Sequence, residues 1–369
     1  MSEPGSVSAA LGARIAEDIA AAGGWIGFER FMHAVLYTPG LGYYARGELP
    51  FGRLPGPGGQ GGDFVTAPEL SPWFARALAA QVAQGLQAAQ ADEIYEFGAG
   101  SGALAAELLR ALDARGVPVR RYTIVEVSGG LRARQRERLA AFGARVQWAE
   151  AMPAAMRGVV LGNEVLDAMP ARLLAWDGAA WSERGVALHE GRFAFADRLT
   201  EARPPAPGPF VPGTVTEVHP QAAAFVATVA AQLERGLALF IDYGFPQDEY
   251  YHPQRSTGTL MCHRGHLADA DPLSDVGLKD ITVHVDFTSV ALAAQDAGAD
   301  VAGYTSQGRF LLNCGLAGLL AEAPLRERAD AHRLLAEHEM GELFKVIALT
   351  RGIDVELLGF AAGDRTHRL

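Results

Sequence analysis

The residues of this chain best suited to chemistry are carboxylates that stand where apolar runs end. Glu164 and Asp167 follow the run 158–163 and are three residues apart, so one helical turn would place them on a common face. Paired carboxylates of that kind can orient a cationic group or a reacting one. Asp242 and Tyr243 close a second apolar run, 236–242, and could form the opposite wall of the same site. Glu96 stands two residues before the turn Gly98-Ala99-Gly100-Ser101-Gly102, Glu126-Val127 closes the run that begins at Tyr122, and Asn163 precedes Glu164. Thr66 offers a hydroxyl within the polar stretch Gly62-Asp63-Phe64-Val65-Thr66-Ala67-Pro68-Glu69.

The elements that must position these groups alternate in type. Strands are predicted over 93–97, 122–127, 144–149, 158–164 and 236–242, with helices over 101–115, 129–142 and 220–235. The strand runs are almost continuously apolar, as strands buried on both faces should be. The alternation defines an α/β fold, a Rossmann-like doubly wound parallel sheet. Residues 1–90 form an N-terminal helical region, with Gly- and Pro-rich 46–62 as a flexible loop and Ser71-Pro72 as a helix start. The core occupies 91–170 and 219–360. Between its halves, 171–218 contains the turn signals Asp177-Gly178 and Glu190-Gly191 and is expected to be a small antiparallel meander. A long loop is expected over 244–279, then a helix at 287–297, strands at 299–304 and 343–350 with helices between, and a loose tail at 361–369.

A glycine turn between a buried strand and a helix brings backbone close to a ligand. Alone it fits a dinucleotide as well as S-adenosylmethionine (SAM). Three features favour SAM. Glu96 would repel a pyrophosphate but suits an ammonium and a sulfonium. Glu126 can accept both ribose hydroxyls, although it lies farther from Gly98 than the ~20 residues usual in dinucleotide sites. Asn163-Glu164 ends the fourth strand, at the sheet edge where open α/β folds bind ligands. Thr66, Glu96, Gly98, Ala99, Gly100, Gly102, Glu126, Val127, Asn163 and Glu164 are therefore the expected SAM contacts, with Glu164, Asp167, Asp242 and Tyr243 on the catalytic side. Each has a plainer reading: Glu96 as a half-exposed strand residue, Glu126 as a cap for the helix from Ser128, and 163–167 as the polar entrance of a short helix.

Four stretches go beyond a generic glycine turn: Gly62 to Glu69; Glu96 to Gly102; Gly162-Asn163-Glu164-Val165-Leu166-Asp167-Ala168-Met169-Pro170; and the run from Asp242-Tyr243-Gly244 to Asp286-Phe287. With 38–44 and 303–315 they resemble the MidA family, over roughly 10–350. That resemblance implies a class I methyltransferase fold with an inserted subdomain, and SAM as cofactor with S-adenosylhomocysteine as product. The eukaryotic members of the family are mitochondrial protein arginine methyltransferases acting in respiratory complex I assembly. The resemblance thus implies a protein substrate, and a complex I subunit is one form it could take. Where the family more often has Ser-Pro after the second-strand acid, this chain has Ser128-Gly129-Gly130.

Bulk properties bound the alternatives. A net charge of −11 disfavours general binding to nucleic acid, and no apolar run is long enough to span a membrane. Early acids, Glu3, Glu17 and Asp18, fit neither a signal nor a transit peptide, and two cysteines form no disulfide framework, so the expected compartment is the cytoplasm. His252, Cys262, His263 and His266 do not have zinc-ligand spacing, and no metal is expected. The apolar faces of the meander could support a homodimer or simply pack on the core. Two competing readings are a non-catalytic SAM-binding assembly factor and an NAD-dependent oxidoreductase; the first predicts a damaged glycine turn, the second an apolar residue in place of Glu96.

Overall fold

A computed structural model describes residues 4–46, 65–321 and 323–369. Most of the Gly- and Pro-rich stretch 46–62, and Asp63 and Phe64, lie outside the described residues. The main sheet contains β1 (Glu93–Phe97), β2 (Arg121–Val125), β3 (Val146–Ala149), β4 (Met156–Asn163), β5 (Leu233–Phe245), β6 (Asp300–Ser306) and β7 (Phe344–Arg351). Their spatial order is β3-β2-β1-β4-β5-β7-β6. The first five are mutually parallel, whereas β7 runs antiparallel to both β5 and β6. The sheet is thus mixed at one edge, not wholly parallel.

Apolar continuity along the strands follows from burial on both faces. Val159, Leu161, Leu237, Leu239 and Ile241 pack against helices Pro72–Ala89, Ala103–Ala114 and Gln307–Asn313. Their neighbours Val160, Ala238 and Phe240 face the other way, onto Pro220–Gln232 and Phe287–Asp296. Helix Pro72–Ala89, grouped by sequence with the N-terminal region, therefore belongs to the main sheet.

A third core joins helices Pro4–Ala21 and Phe28–Tyr37 to the inserted sheet through Ile15, Phe28, Phe31, Leu173 and Val186. The meander is Arg172–Trp176, Trp181–His189 and Arg192–Leu199, with Val215–Val218 paired to its first strand and Ile26–Gly27 to its second. Glu190 and Gly191 at its turn both have positive φ.

Two expectations are corrected. The stretch 244–279 is not all loop: Gln247–Tyr250 is helical, and Met261–Arg264 pairs with Leu267–Asp269 and with Asp280–Thr282 in a small sheet. Cys262 and Ile281 anchor that sheet in the third core; its strands are too short for their periodicity to show in sequence. Nor is the tail loose. Asp364 accepts the N–H of Tyr304 (2.9 Å), Thr305 donates to the carbonyl of Gly363 (2.7 Å), and Arg365 forms an ion pair with Glu342.

Candidate active site

The order of strands reverses between β1 and β4, and a crevice opens there at their carboxyl ends. From β1 the chain enters the turn with Gly98, Gly100 and Gly102 all at positive φ (65°, 52° and 80°), which L side chains rarely adopt. A Cβ on Gly98 would also lie 2.8 Å from the Val165 side chain, so this glycine lets the β1 turn and the β4 turn touch. Gln135 donates from Nε2 to the carbonyl of Gly100 (2.9 Å) and to Glu126 (3.3 Å), tying the turn to the end of β2. Glu126 also accepts the N–H of Ser128 (2.8 Å), while Ser128 Oγ caps helix Gly129–Arg138.

Beyond β4, Glu164 adopts φ 52° and donates its N–H to the Ile241 carbonyl (2.8 Å). This conformation turns the chain sharply across the end of β5. Asp242 secures the turn: Oδ2 accepts the N–H groups of Val165 (3.1 Å), Leu166 (2.9 Å) and Asp167 (3.3 Å). Tyr243 donates its hydroxyl to Asp167 Oδ2, leaving Asp167 Oδ1 buried with no hydrogen-bond partner among the described residues. Asn163 donates to Glu164 (3.0 Å), and its own Oδ1 is likewise buried and unpartnered.

These groups open onto one cavity of about 1280 Å³. Thr66, Glu96, Gly98, Ala99, Gly100, Glu126, Val127, Asn163, Glu164, Asp167 and Tyr243 all line it. Gly102 and Asp242 do not. Gly102 packs against Leu139 and Gln135 at a helix start, outside the cavity in which a cofactor contact was expected of it, and Asp242 faces backbone amides and does not form the expected wall. Glu96 is 2% exposed and accepts the Tyr122 hydroxyl (2.8 Å), against its reading as a half-exposed strand residue.

Carboxylates dominate the electrostatics. Burial raises Glu96 to about 7; the Tyr122 hydroxyl opposes that shift and Glu126 adds to it. Burial and then Asp167 raise Glu164 to about 8. Burial raises Asp167 to about 6 against the hydrogen bond from Tyr243. A ligand carrying positive charge and hydroxyls would relieve these groups, and the unpartnered oxygens of Asn163 and Asp167 would gain donors. SAM has that chemistry, with an ammonium, a sulfonium and two ribose hydroxyls, and the lining fits it.

Sequence reasoning gave no role to several lining groups. Tyr37, which donates to the Ala168 carbonyl (2.9 Å), and Tyr44, which donates to Asp280 (2.8 Å), come from the N-terminal region; Asp280 and Thr282 come from a strand of the small sheet, and His284 follows it. The only signal was that both segments fell within the family resemblance.

Fold and crevice define a class I SAM-dependent methyltransferase. A family of S-adenosyl-L-methionine-dependent methyltransferases is matched over residues 77–305, and the chain belongs to it. A protein from Burkholderia thailandensis crystallised with S-adenosyl-homocysteine is 52% identical and superposes with a TM-score of 0.96, covering 100% of this chain and 99% of that one. The mitochondrial protein arginine methyltransferase NDUFAF7 of Xenopus tropicalis is 27% identical over 79% of this chain and 73% of its own length. The Homo sapiens protein of the same name is 26% identical, over 86% and 78%. The resemblance to the MidA family is thereby shown, the cofactor is SAM, and the oxidoreductase reading is set aside. Among the described residues no helix is long and apolar enough to cross a membrane.

Proposed function

We propose that this methyltransferase acts on the guanidinium of an arginine side chain in a protein. The observation that carries the reading is the pair Glu164 and Asp167, two carboxylates on one cavity wall, with Asp167 Oδ1 lacking any partner among the described residues. The relatives named protein arginine methyltransferase support it. In this reading Glu96, Gly98, Ala99, Gly100, Glu126, Val127 and Asn163 hold the cofactor, Thr66 bonds its methionine end, and Gly102 shapes the turn. Bound SAM supplies an electrophilic methyl group, whose C–S bonding pair leaves with sulfur. Glu164 and Asp167 orient the acceptor nitrogen, which must give up one proton as its bond to carbon forms, and Asp167 takes that proton. Tyr243 fixes Asp167, and Asp242 fixes the turn that carries it.

A subunit of a respiratory complex is one acceptor the reading admits. A cytoplasmic setting accords with the two cysteines, both free and buried. The test is incubation with SAM labelled in its methyl group and peptide pools that differ only in displaying arginine, lysine, histidine or glutamate. Label confined to arginine peptides supports the reading; label in another pool, or in none, overturns it.

A further inference from the structure

One corner of the cavity is opposite in charge to the rest. Among the described residues that line it, the acids include Glu96, Glu126, Glu164, Asp167 and Asp280, while the only Arg or Lys is Arg255. Arg255 lies between helix Gln247–Tyr250 and strand Met261–Arg264 and is half-buried. Its guanidinium covers the ring of Phe245, 3.7 Å from the centroid, and its Nε donates to the Glu249 carbonyl (3.0 Å). Nη1 and Nη2 make no hydrogen bond or ion pair among the described residues. The Glu249 carboxylate is turned to Arg368 instead (3.3 Å). Lys345 stands over the same Phe245 ring (5.7 Å), a second positive charge beside Arg255. Burial lowers His284 to about 4, helped by Arg255 and Lys345, so the imidazole at this wall is neutral near pH 7 and does not offset that charge.

The loop that carries Arg255 is tied down on its other side. The Ser256 carbonyl accepts the N–H of Val215 (2.8 Å), and the buried carboxylate of Glu217 accepts those of Thr259 (2.8 Å) and Leu260 (3.0 Å). Gly258 approaches so closely that a Cβ there would lie 2.4 Å from Glu217 Oε1. A stacked guanidinium on an anchored loop loses little freedom on taking a partner, and its two free nitrogens match the two oxygens of a carboxylate.

Strand order says whose carboxylate that is. Phe245 ends β5 and Glu126 follows β2, three strands away in the order β2-β1-β4-β5, so roughly 14 Å of sheet separates them. The end read as holding the cofactor ribose is therefore remote from Arg255, which stands on the Tyr243 side.

We propose that Arg255 binds a carboxylate of the methyl acceptor, an Asp or Glu side chain that flanks the methylated residue. The proposal rests on the protein-acceptor part of the reading above and not on which atom is methylated. With arginine as the methylated residue, such a substrate fits in one direction only. Its cation goes to Glu164 and Asp167 and its acid to Arg255, and reversal would set like charges together.

Sodium propionate is the first probe, titrated into full-length protein saturated with S-adenosylhomocysteine against equal sodium chloride, while arginine ¹⁵Nε resonances are followed by NMR. We expect the Arg255 resonance, assigned by its absence in Arg255→Gln and Arg255→Lys, to shift with propionate only. No shift beyond that in chloride overturns the inference. So does a shift caused by S-adenosylhomocysteine itself together with weaker S-adenosylhomocysteine binding by Arg255→Gln, since the carboxylate held would be the cofactor's own. The second probe is a set of peptides with one arginine and either Glu or Gln at each flanking position in turn. At one position or more, Glu should raise kcat/KM about tenfold over Gln, the order of one charge-assisted hydrogen bond, mostly through KM. That preference should vanish in Arg255→Gln, persist in part in Arg255→Lys, and give way to a preference for lysine in Arg255→Glu. Equal rates for Glu and Gln peptides with the wild type, or an undiminished preference in Arg255→Gln, overturns the inference and leaves the arginine reading standing. If no arginine peptide is methylated, the arginine reading fails and the propionate shift alone decides. Should Arg255→Gln not fold, Arg255→Lys supplies the assignment and the wild-type shift decides.

Discussion

Asp242 accepts the backbone N–H of Asp167 (3.3 Å) with the same oxygen that holds Val165 and Leu166, so one buried carboxylate sets the position of another. Asp242→Ala would leave four amides without their partner, since Oδ1 also accepts the N–H of Tyr243 (3.0 Å). Unsatisfied buried N–H groups cost about 1–3 kcal/mol each before relaxation, so a loss of about 3 kcal/mol is expected in urea unfolding, with turnover falling alongside. Asp242→Asn keeps one acceptor oxygen and should lose less. An Asp242→Ala protein with the wild-type unfolding midpoint would show that the turn is held by something else.

Glu164 lines the cavity from a strained backbone position, φ 52°. Glu164→Gln preserves shape and removes charge. Turnover should fall by about 10²-fold or more, the scale for losing one transition-state contact, while S-adenosylhomocysteine binds nearly as before. Turnover within a fewfold of wild type would remove Glu164 from the mechanism.

The raised carboxylates give stability a definite pH dependence. Folding lifts Glu164 to about 8, Glu96 to about 7 and Asp167 to about 6, above ordinary values near 4. Between about pH 4.5 and 8 the ligand-free folded state therefore binds more protons than the unfolded chain, and its stability falls as pH rises through that window. Thermal unfolding midpoints recorded at intervals from pH 5 to 8.5 should decline for the wild type and decline less for Glu164→Gln. Parallel curves for the two proteins would mean that Glu164 ionises normally. Affinity for a cationic ligand should move oppositely, rising as these groups ionise.

At Gly98, space and backbone conformation can be separated. Gly98→Ala meets the Val165 side chain at 2.8 Å and carries φ 65°. We expect it to destabilise the fold by about 1–3 kcal/mol. Adding Val165→Ala should recover the steric part only. Full recovery in the double variant would mean that the positive φ costs nothing here; no recovery would mean that the clash is not what matters.

How far sequence reached depended on the range of the interaction. The β1 glycine turn, Glu126 and the Glu164–Asp167 pair were legible because each lies at a strand end, where local pattern and topology agree. All but Gly102 and Asp242 among the expected site residues line the cavity. Asp242 was misjudged because nothing in Ile241-Asp242-Tyr243 tells that its carboxylate faces amides from residues 165–167. His284 and Asp280 had no readable role, since their places depend on a small sheet whose strands are three or four residues long. The contributions of Tyr37 and Tyr44 depend on N-terminal helices packing beside an insertion much later in the chain.

The most direct test of the central claim is methyl transfer to one peptide in two forms, carrying either a single arginine or citrulline, its neutral near-isostere, with wild-type enzyme and with Glu164→Gln. S-adenosylhomocysteine formation and the mass of the peptide are both followed. The account predicts that only the arginine peptide gains a methyl group, and only with the wild type. Methylation of both peptides, or transfer by Glu164→Gln at the wild-type rate, would contradict it.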